Sequence, residues 1–169
     1  MRGGRNSSPA VDLFLRSQAP LKPSDAVAAL IVLEDGRYLM QLRDAKPNIF
    51  YPDHWGCFGG AVDPGEQPLE ALRRELREEL EFEIGEAREF TRIEFDWRSV
   101  GHPRTSRIWY EVRASEAAWR GFVLHEGAAM QAFPAPELLT GGRVTPYDSF
   151  AVWMHYSKDR LAAGARQGG

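Results

Sequence analysis

The order of apolar patterns along the chain predicts an α/β protein in which a mixed β-sheet lies between helices. Three observations carry that prediction. Ala26 to Leu33, AVAALIVL, is a short unbroken apolar run of the kind a buried strand needs. Leu69, Leu72, Leu76 and Leu80 recur at three- and four-residue spacing, which is the period of a helix with one buried stripe. Phe150, Trp153 and Met154 repeat that spacing within Pro146 to Leu161, so a second helix is expected to pack against the sheet.

Taken in order, residues 1–24 begin MRGGRNSSPA and read as a flexible or loosely packed segment ahead of a domain over 25–161. Glu34-Asp35-Gly36-Arg37 is a turn between the first apolar run and Tyr38 to Arg43, which makes those two strands a hairpin. Asp44 to Asp53 holds two prolines and an asparagine and reads as a loop that leads into Trp55-Gly56-Cys57-Phe58-Gly59-Gly60. After the leucine helix, Glu89 to Trp97 and Arg107 to Arg113 read as strands across a Gly-Pro-containing loop at Ser99 to Thr105. Val123 to Phe133 is a further strand in this reading, and residues 162–169, AAGARQGG, are a disordered tail.

Composition sets the broad class. The chain has 169 residues, enough for one domain with a real core. Its 21 Lys and Arg against 24 Asp and Glu give a net charge of −3, so no overall basic field draws in polymeric nucleic acid, while a small phosphorylated ligand is allowed. Cys57 is the sole cysteine, which rules out an intrachain disulfide and points to a reducing compartment. No apolar run reaches the length of a membrane span and no secretory-type segment follows the basic start, so no membrane role is expected and the cytoplasm is the expected location.

The chemistry-bearing stretch is GAVDPGEQPLEALRRELREELEF, from Gly60 to Phe82. Pro64 and Gly65 occupy the central places of a tight turn, Pro presetting φ and Gly supplying a positive φ. Pro68 then opens the helix, where a missing N–H costs little. At roughly 100° per residue, Glu75 and Glu79 lie one turn apart with Glu78 beside them, on a flank of the leucine stripe. Like charges so spaced repel. Arg73, Arg74 and Arg77 offset them in the plainer reading, a solvated, salt-bridged helix face. In the functional reading the oxygen-rich face holds a hard cation such as Mg²⁺ or Mn²⁺, which binds a few carboxylates and keeps waters for a phosphate substrate.

The spacing of Gly60, Glu66 and Arg74-Glu75-Leu76-Arg77-Glu78-Glu79 resembles the Nudix box, with Glu81 standing where that signature has Gly and Phe82 in its last apolar place. The resemblance implies a Nudix-type α/β/α sandwich and cleavage of a diphosphate joining a nucleoside to another group X, with Mg²⁺ as cofactor and Mn²⁺ as substitute. It implies Glu75, Glu78 and Glu79 as metal-binding and base-bearing residues, with the Gly59 carbonyl as a further ligand. Arg74 would hold the neighbouring carboxylate, and Gly60 and Glu66 would support the site. Glu126 matches a distant-loop glutamate that completes the site in some relatives; a plain solvated carboxylate is the equal alternative. Which glutamate is the base stays open. Because Gly favours the left-handed conformation that ends helices, Glu81 predicts altered helix termination without loss of activity.

Arg43 at the end of the second strand is placed to reach a phosphate, and Phe50, Tyr51, Trp97 and Trp109 are candidates to stack on a base or sugar. Relatives acting on ADP-ribose tend to carry a proline about fifteen residues past the box; Trp97 and Arg98 occupy that neighbourhood, which disfavours that substrate. Nucleoside triphosphates or nucleotide sugars are the leading classes. An isopentenyl-diphosphate-isomerase-like enzyme and a ligand-sensing Nudix-like module are the alternatives, and a homodimer is compatible with the family.

Overall fold

The structure, a computed structural model, describes residues 20–167; the expectation for residues 1–19 lies outside it. β1 (Ala26–Leu33) and β2 (Tyr38–Leu42) form the expected hairpin, with Ile31 opposite Leu39. β3 (Trp55–Gly56) pairs with the far end of β2. Helix α1 (Pro68–Leu80) follows, then β4 (Ala87–Asp96) and β5 (Arg104–Ala114) as an antiparallel pair. A short helix α2 (Glu116–Arg120), strand β6 (Ala129–Phe133) and helices α3 (Ala135–Thr140), α4 (Pro146–Tyr156) and α5 (Lys158–Gln167) complete the chain.

The sheet is mixed, in the order β3-β2-β1-β5-β4 with β6 on the other edge of β2. β1 runs parallel to β5 along its whole length, from Ala26 opposite Arg107 to Leu33 opposite Ala114. Toward its start, β1 turns from β2 to the glycine-bearing segment, bridging Phe58 through Ala29 and Ala61 through Ala26. The chain thus wedges Phe58 to Ala61 beside β1, and this end of the strand faces a cavity.

β1 is apolar on both faces because both faces are covered. Val27, Ala29, Ile31 and Leu33 pack with Leu72, Leu76 and Leu80 of α1, while Ala28, Leu30 and Val32 pack with Trp109, Leu138, Ala151 and Val152 on the opposite side. The result is the expected α/β/α sandwich. Leu76 is fully buried, so Leu76→Ala is expected to destabilise by about 2–5 kcal/mol, read from chemical denaturation with circular dichroism as the signal.

α4 corrects one expectation. Phe150 and Trp153 do not pack against the sheet: they stack on each other in the open, 49% and 43% exposed, and the face that meets the sheet is Ala151, Val152, Asp148 and His155. Small side chains let the helix lie close, and His155 pins it between the Tyr38 hydroxyl at 2.7 Å and Glu111 at 2.9 Å. The helix breaks at Ser157 and α5 runs on to Gln167, so residues 162–167, expected as tail, are helical. Val123 to Ala128 is loop and only Ala129–Phe133 is strand. Gly127 sits at φ 92°, which an extended strand does not accommodate.

Glu81 also departs from expectation. It adopts the left-handed conformation itself, at φ 55° and ψ 29°, and ends α1 where a glycine would, with its N–H on Arg77 O and the Phe82 N–H on Leu76 O. Helix termination is therefore unaltered. The strain is offset by packing: Phe82 lies against Phe122 with ring centroids 4.5 Å apart, and the Glu81 carboxylate meets His125 Nε2 at 2.7 Å. Glu81→Gly should raise stability by up to about 1 kcal/mol, since glycine carries no left-handed penalty; an unchanged or lower melting temperature would show that the His125 contact outweighs the strain.

Candidate active site

A cavity of about 610 Å³ opens where the glycine segment, the start of β1 and β5, the 44–53 loop and the loop after α2 meet. It lies within the size range of small-molecule sites. Its walls include Glu75, Glu79 and Glu126 together with Arg43, Phe50, Tyr51, Trp97 and Arg107. Leu21 to Ser24, placed outside the domain in the sequence reading, form part of the rim.

Two glycines shape the acidic end. Gly59 has φ 126°, and a Cβ there would stand 2.4 Å from the Val27 carbonyl oxygen. At Gly60 a Cβ would meet the Glu75 carboxylate at 2.6 Å. The missing side chains let the loop press against β1 on one side and α1 on the other. The Gly59 N–H then donates to Glu79 Oε2 at 2.8 Å, and the Gln41 amide donates to Oε1 at 3.3 Å.

Glu79 is 4% exposed and has no cationic partner among the described residues. Burial pushes its carboxyl up to about 8, and the charges of Glu75 and Glu126 push the same way against the Gly59 and Gln41 hydrogen bonds. Glu75 is raised too, chiefly by burial and against the pull of Arg74. Repelling, partly desolvated carboxylates are what a bound cation relieves.

Arg74 organises the flank. Its Nε and Nη2 donate to Glu66 Oε1 and Oε2, each at 3.0 Å, its Nη1 donates to Glu75 Oε1 at 2.7 Å, and Nη2 also reaches the Ala61 carbonyl at 3.1 Å. Glu66 is in turn held by the Asp63 N–H across the turn, where Gly65 takes φ 85°. Glu66 lies in the turn and does not line the cavity. Glu78 is set apart from the other helix glutamates. It is 61% exposed, touches Arg74 at 3.4 Å and does not line the cavity.

Glu126 is brought in by backbone. The Val123 and His125 N–H groups bond to Leu80 O and Glu79 O, and Ala128 N–H bonds to Leu42 O, so the loop is stitched to the end of α1 and to β2. Among the described residues no three acidic, His or Cys side chains converge closely enough to enclose a metal. The donor set still fits Mg²⁺ or Mn²⁺: all-oxygen, anionic, with Glu79 and Glu75 as the pair at hand. Such an ion uses one or two carboxylates and leaves its remaining places to water and phosphate.

Of the five side chains that the sequence offers for substrate contact, four line the cavity and Trp109 does not. Arg43 lines it, its Nε donating to the Phe50 carbonyl at 2.9 Å, and Phe50, Tyr51 and Trp97 line it as expected. Trp97 is stacked on Phe95, with centroids 5.6 Å apart at 19°, and its Nε1 donates to Thr105. Trp109 is core, fully buried, and unavailable to a ligand. Arg107, Asp148 and Tyr147 were missed. Asp148 on α4 accepts from Cys57 N at 3.0 Å, Thr145 Oγ1 at 2.7 Å, Trp109 Nε1 at 2.8 Å and Arg107 Nη2 at 3.5 Å. One carboxylate thus ties β5, the glycine segment and α4 together behind the cavity. Only three-dimensional proximity reveals it, since the partners lie up to 91 positions away.

The NUDIX domain family model matches residues 22–154. The chain belongs to the NUDIX family. Over 50 residues it is 46% identical to the nucleoside triphosphatase NudI of Escherichia coli O1:K1, a match spanning 30% of this chain and 35% of that relative. The MutT protein of Methanosarcina mazei Go1 superposes with a TM-score of 0.63 at 19% identity, covering 85% of this chain and 97% of that one. The dihydroneopterin triphosphate pyrophosphohydrolase of Escherichia coli superposes with a TM-score of 0.61 at 21% identity, covering 78% and 94%. At these identities the superpositions establish the NUDIX fold. No helix among the described residues is long and apolar enough to cross a membrane.

Proposed function

We propose that this NUDIX protein is a Mg²⁺- or Mn²⁺-dependent pyrophosphohydrolase that cleaves a diphosphate bond in a nucleoside triphosphate or nucleotide sugar. The observation that carries the reading is Glu79, a carboxylate raised chiefly by burial and further by the charges of Glu75 and Glu126, facing a nucleotide-sized cavity with no cationic partner among the described residues. A cytoplasmic location agrees with the single, buried Cys57 thiol.

Glu79 and Glu75 would hold the metal, which when bound neutralises phosphate charge and lowers the pKa of coordinated water. The rest is supplied by the chain. Gly59 and Gln41 fix the Glu79 carboxylate by two hydrogen bonds, and Arg74 fixes one oxygen of Glu75, leaving the other for the site. Water attacks one phosphorus, the P–O bond to the leaving phosphate breaks, and a carboxylate accepts the proton that the water gives up. Glu75 and Glu126 both line the cavity and are the candidates for that proton. Glu78, exposed beside Arg74 and not among the residues lining the cavity, is given no proton in this reading.

The test is product analysis on nucleoside triphosphates, nucleotide sugars, dinucleotides and ADP-ribose with Mg²⁺ present. The expected result is a nucleoside monophosphate and pyrophosphate from a triphosphate, or a nucleoside monophosphate and a sugar phosphate from a nucleotide sugar. Silence across the panel, with isomerisation of isopentenyl diphosphate or binding without turnover, would replace the hydrolase reading.

A further inference from the structure

Arg107 brings a second guanidinium, besides that of Arg43, to the cavity wall, with its side chain 14% exposed. Arg107, opposite Ala26 in the parallel β1–β5 register, lines the cavity with its guanidinium carbon 4.6 Å above the Tyr147 ring and 5.4 Å from the Trp109 ring. Among the described residues its hydrogen-bond acceptor is Asp148, at 3.5 Å, and its buried Nε has none. Tyr147 is itself braced edge-on by Tyr51, with centroids 5.4 Å apart. The fork thus lies over an aromatic face, with donors to spare.

Resting on the nucleotide reading above, we infer that Arg107 reads the base of the substrate and selects bases with a carbonyl at the reading edge, guanine, hypoxanthine, uracil or thymine, over adenine and cytosine, which carry an amino group there. Three points favour a base over a phosphate. Asp148 offsets the charge of Arg107, so what the fork offers is directional donors more than net attraction for an anion. The phosphates belong at the acidic end, where a cation would screen them from Glu75 and Glu79. The surrounding walls, Phe50, Tyr51, Tyr147 and the stacked Phe95 and Trp97, are aromatic and suit a planar ring.

Arginine has five donors and no acceptor. A purine O6 and N7, or a pyrimidine O4, can therefore accept from Arg107, whereas an amino group at the same place sets donor against donor. A good bidentate pair of this kind discriminates by about ten- to a hundredfold.

The experiment compares kcat/KM of the full chain for ITP, GTP and UTP with that for ATP and CTP. Binding of GTP and ATP to the Glu79→Gln protein is measured by calorimetry alongside, so that affinity is read without turnover. The inference predicts at least a tenfold preference for the carbonyl bases, expressed mainly in KM and in affinity, and its collapse to within threefold in Arg107→Lys, which keeps the charge beside Asp148 but loses the fork. Equal rates and affinities for ITP and ATP in the wild-type protein, a comparison that needs no variant, would overturn the inference and leave the hydrolase reading intact. A uniform loss on all five nucleotides in Arg107→Lys would make Arg107 an anion holder and overturn it likewise. Failure to turn over or bind any nucleotide would strike the underlying reading instead.

Discussion

Glu79→Gln is expected to lower turnover by on the order of a thousandfold, since it removes an anionic ligand for a cation asked to supply several kcal/mol of charge stabilisation. The same change should stabilise the metal-free fold, which separates a functional carboxylate from a structural one. The Glu79 carboxyl titrates near 8 in the folded chain against an ordinary 4.5. Below about pH 4.5 it is protonated whether the chain is folded or not, and contributes nothing. Between there and pH 8 the folded chain keeps a proton that the unfolded chain gives up, so stability falls as pH rises, and above 8 the full cost is present. Glutamine carries no such cost, and its amide oxygen can still accept from the Gly59 N–H. Without divalent metal, the variant should therefore gain stability over wild type progressively from pH 5 to 8.5, by on the order of 3 kcal/mol at the upper end. Differential scanning calorimetry across that range checks it; a constant or reversed difference would mean that Glu79 is ionised and well satisfied in the metal-free fold.

The second large effect is on stability. Asp148→Ala should destabilise by about 3–5 kcal/mol, because it strips the partner from the buried Arg107 guanidinium and leaves Trp109 Nε1 and Cys57 N without an acceptor. Equilibrium urea unfolding reads the loss. Asp148→Asn should lose less, since its carbonyl oxygen can still accept from Trp109 or Thr145. Near-wild-type stability in the alanine variant would show that the four donors find other partners and that Asp148 is not the hub it is drawn as.

What the sequence makes legible follows from range. The α1 stripe, the β1–β2 hairpin and the β4–β5 pair are encoded by neighbours a few positions apart, and each is found within a few residues of its expected bounds. Glu75, Glu79 and Arg74 share one helix, so their clustering is also local. The Asp148 hub and Arg107 are not, because nothing near either residue in sequence distinguishes it from a surface charge. The same holds for Glu126, which reaches the cavity only through the hydrogen bonds that dock its loop on α1 and β2. Periodicity misled on α4, where Phe150 and Trp153 have the spacing of a buried face but bulk that the close helix–sheet contact leaves outside. It was also too coarse on α1, where the three glutamates of one face part company: Glu75 and Glu79 turn to the cavity and Glu78 to solvent.

The most direct test of a metal-assisted hydrolase built on Glu79 is pyrophosphate release from a nucleoside triphosphate by protein stripped with EDTA and then titrated with Mg²⁺ or Mn²⁺, for wild type and Glu79→Gln side by side. The account predicts no release from the stripped protein, saturable recovery in wild type, and little recovery in the variant at metal concentrations that saturate wild type. Release that is indifferent to the chelator, or a variant that recovers as fully as wild type, would contradict it.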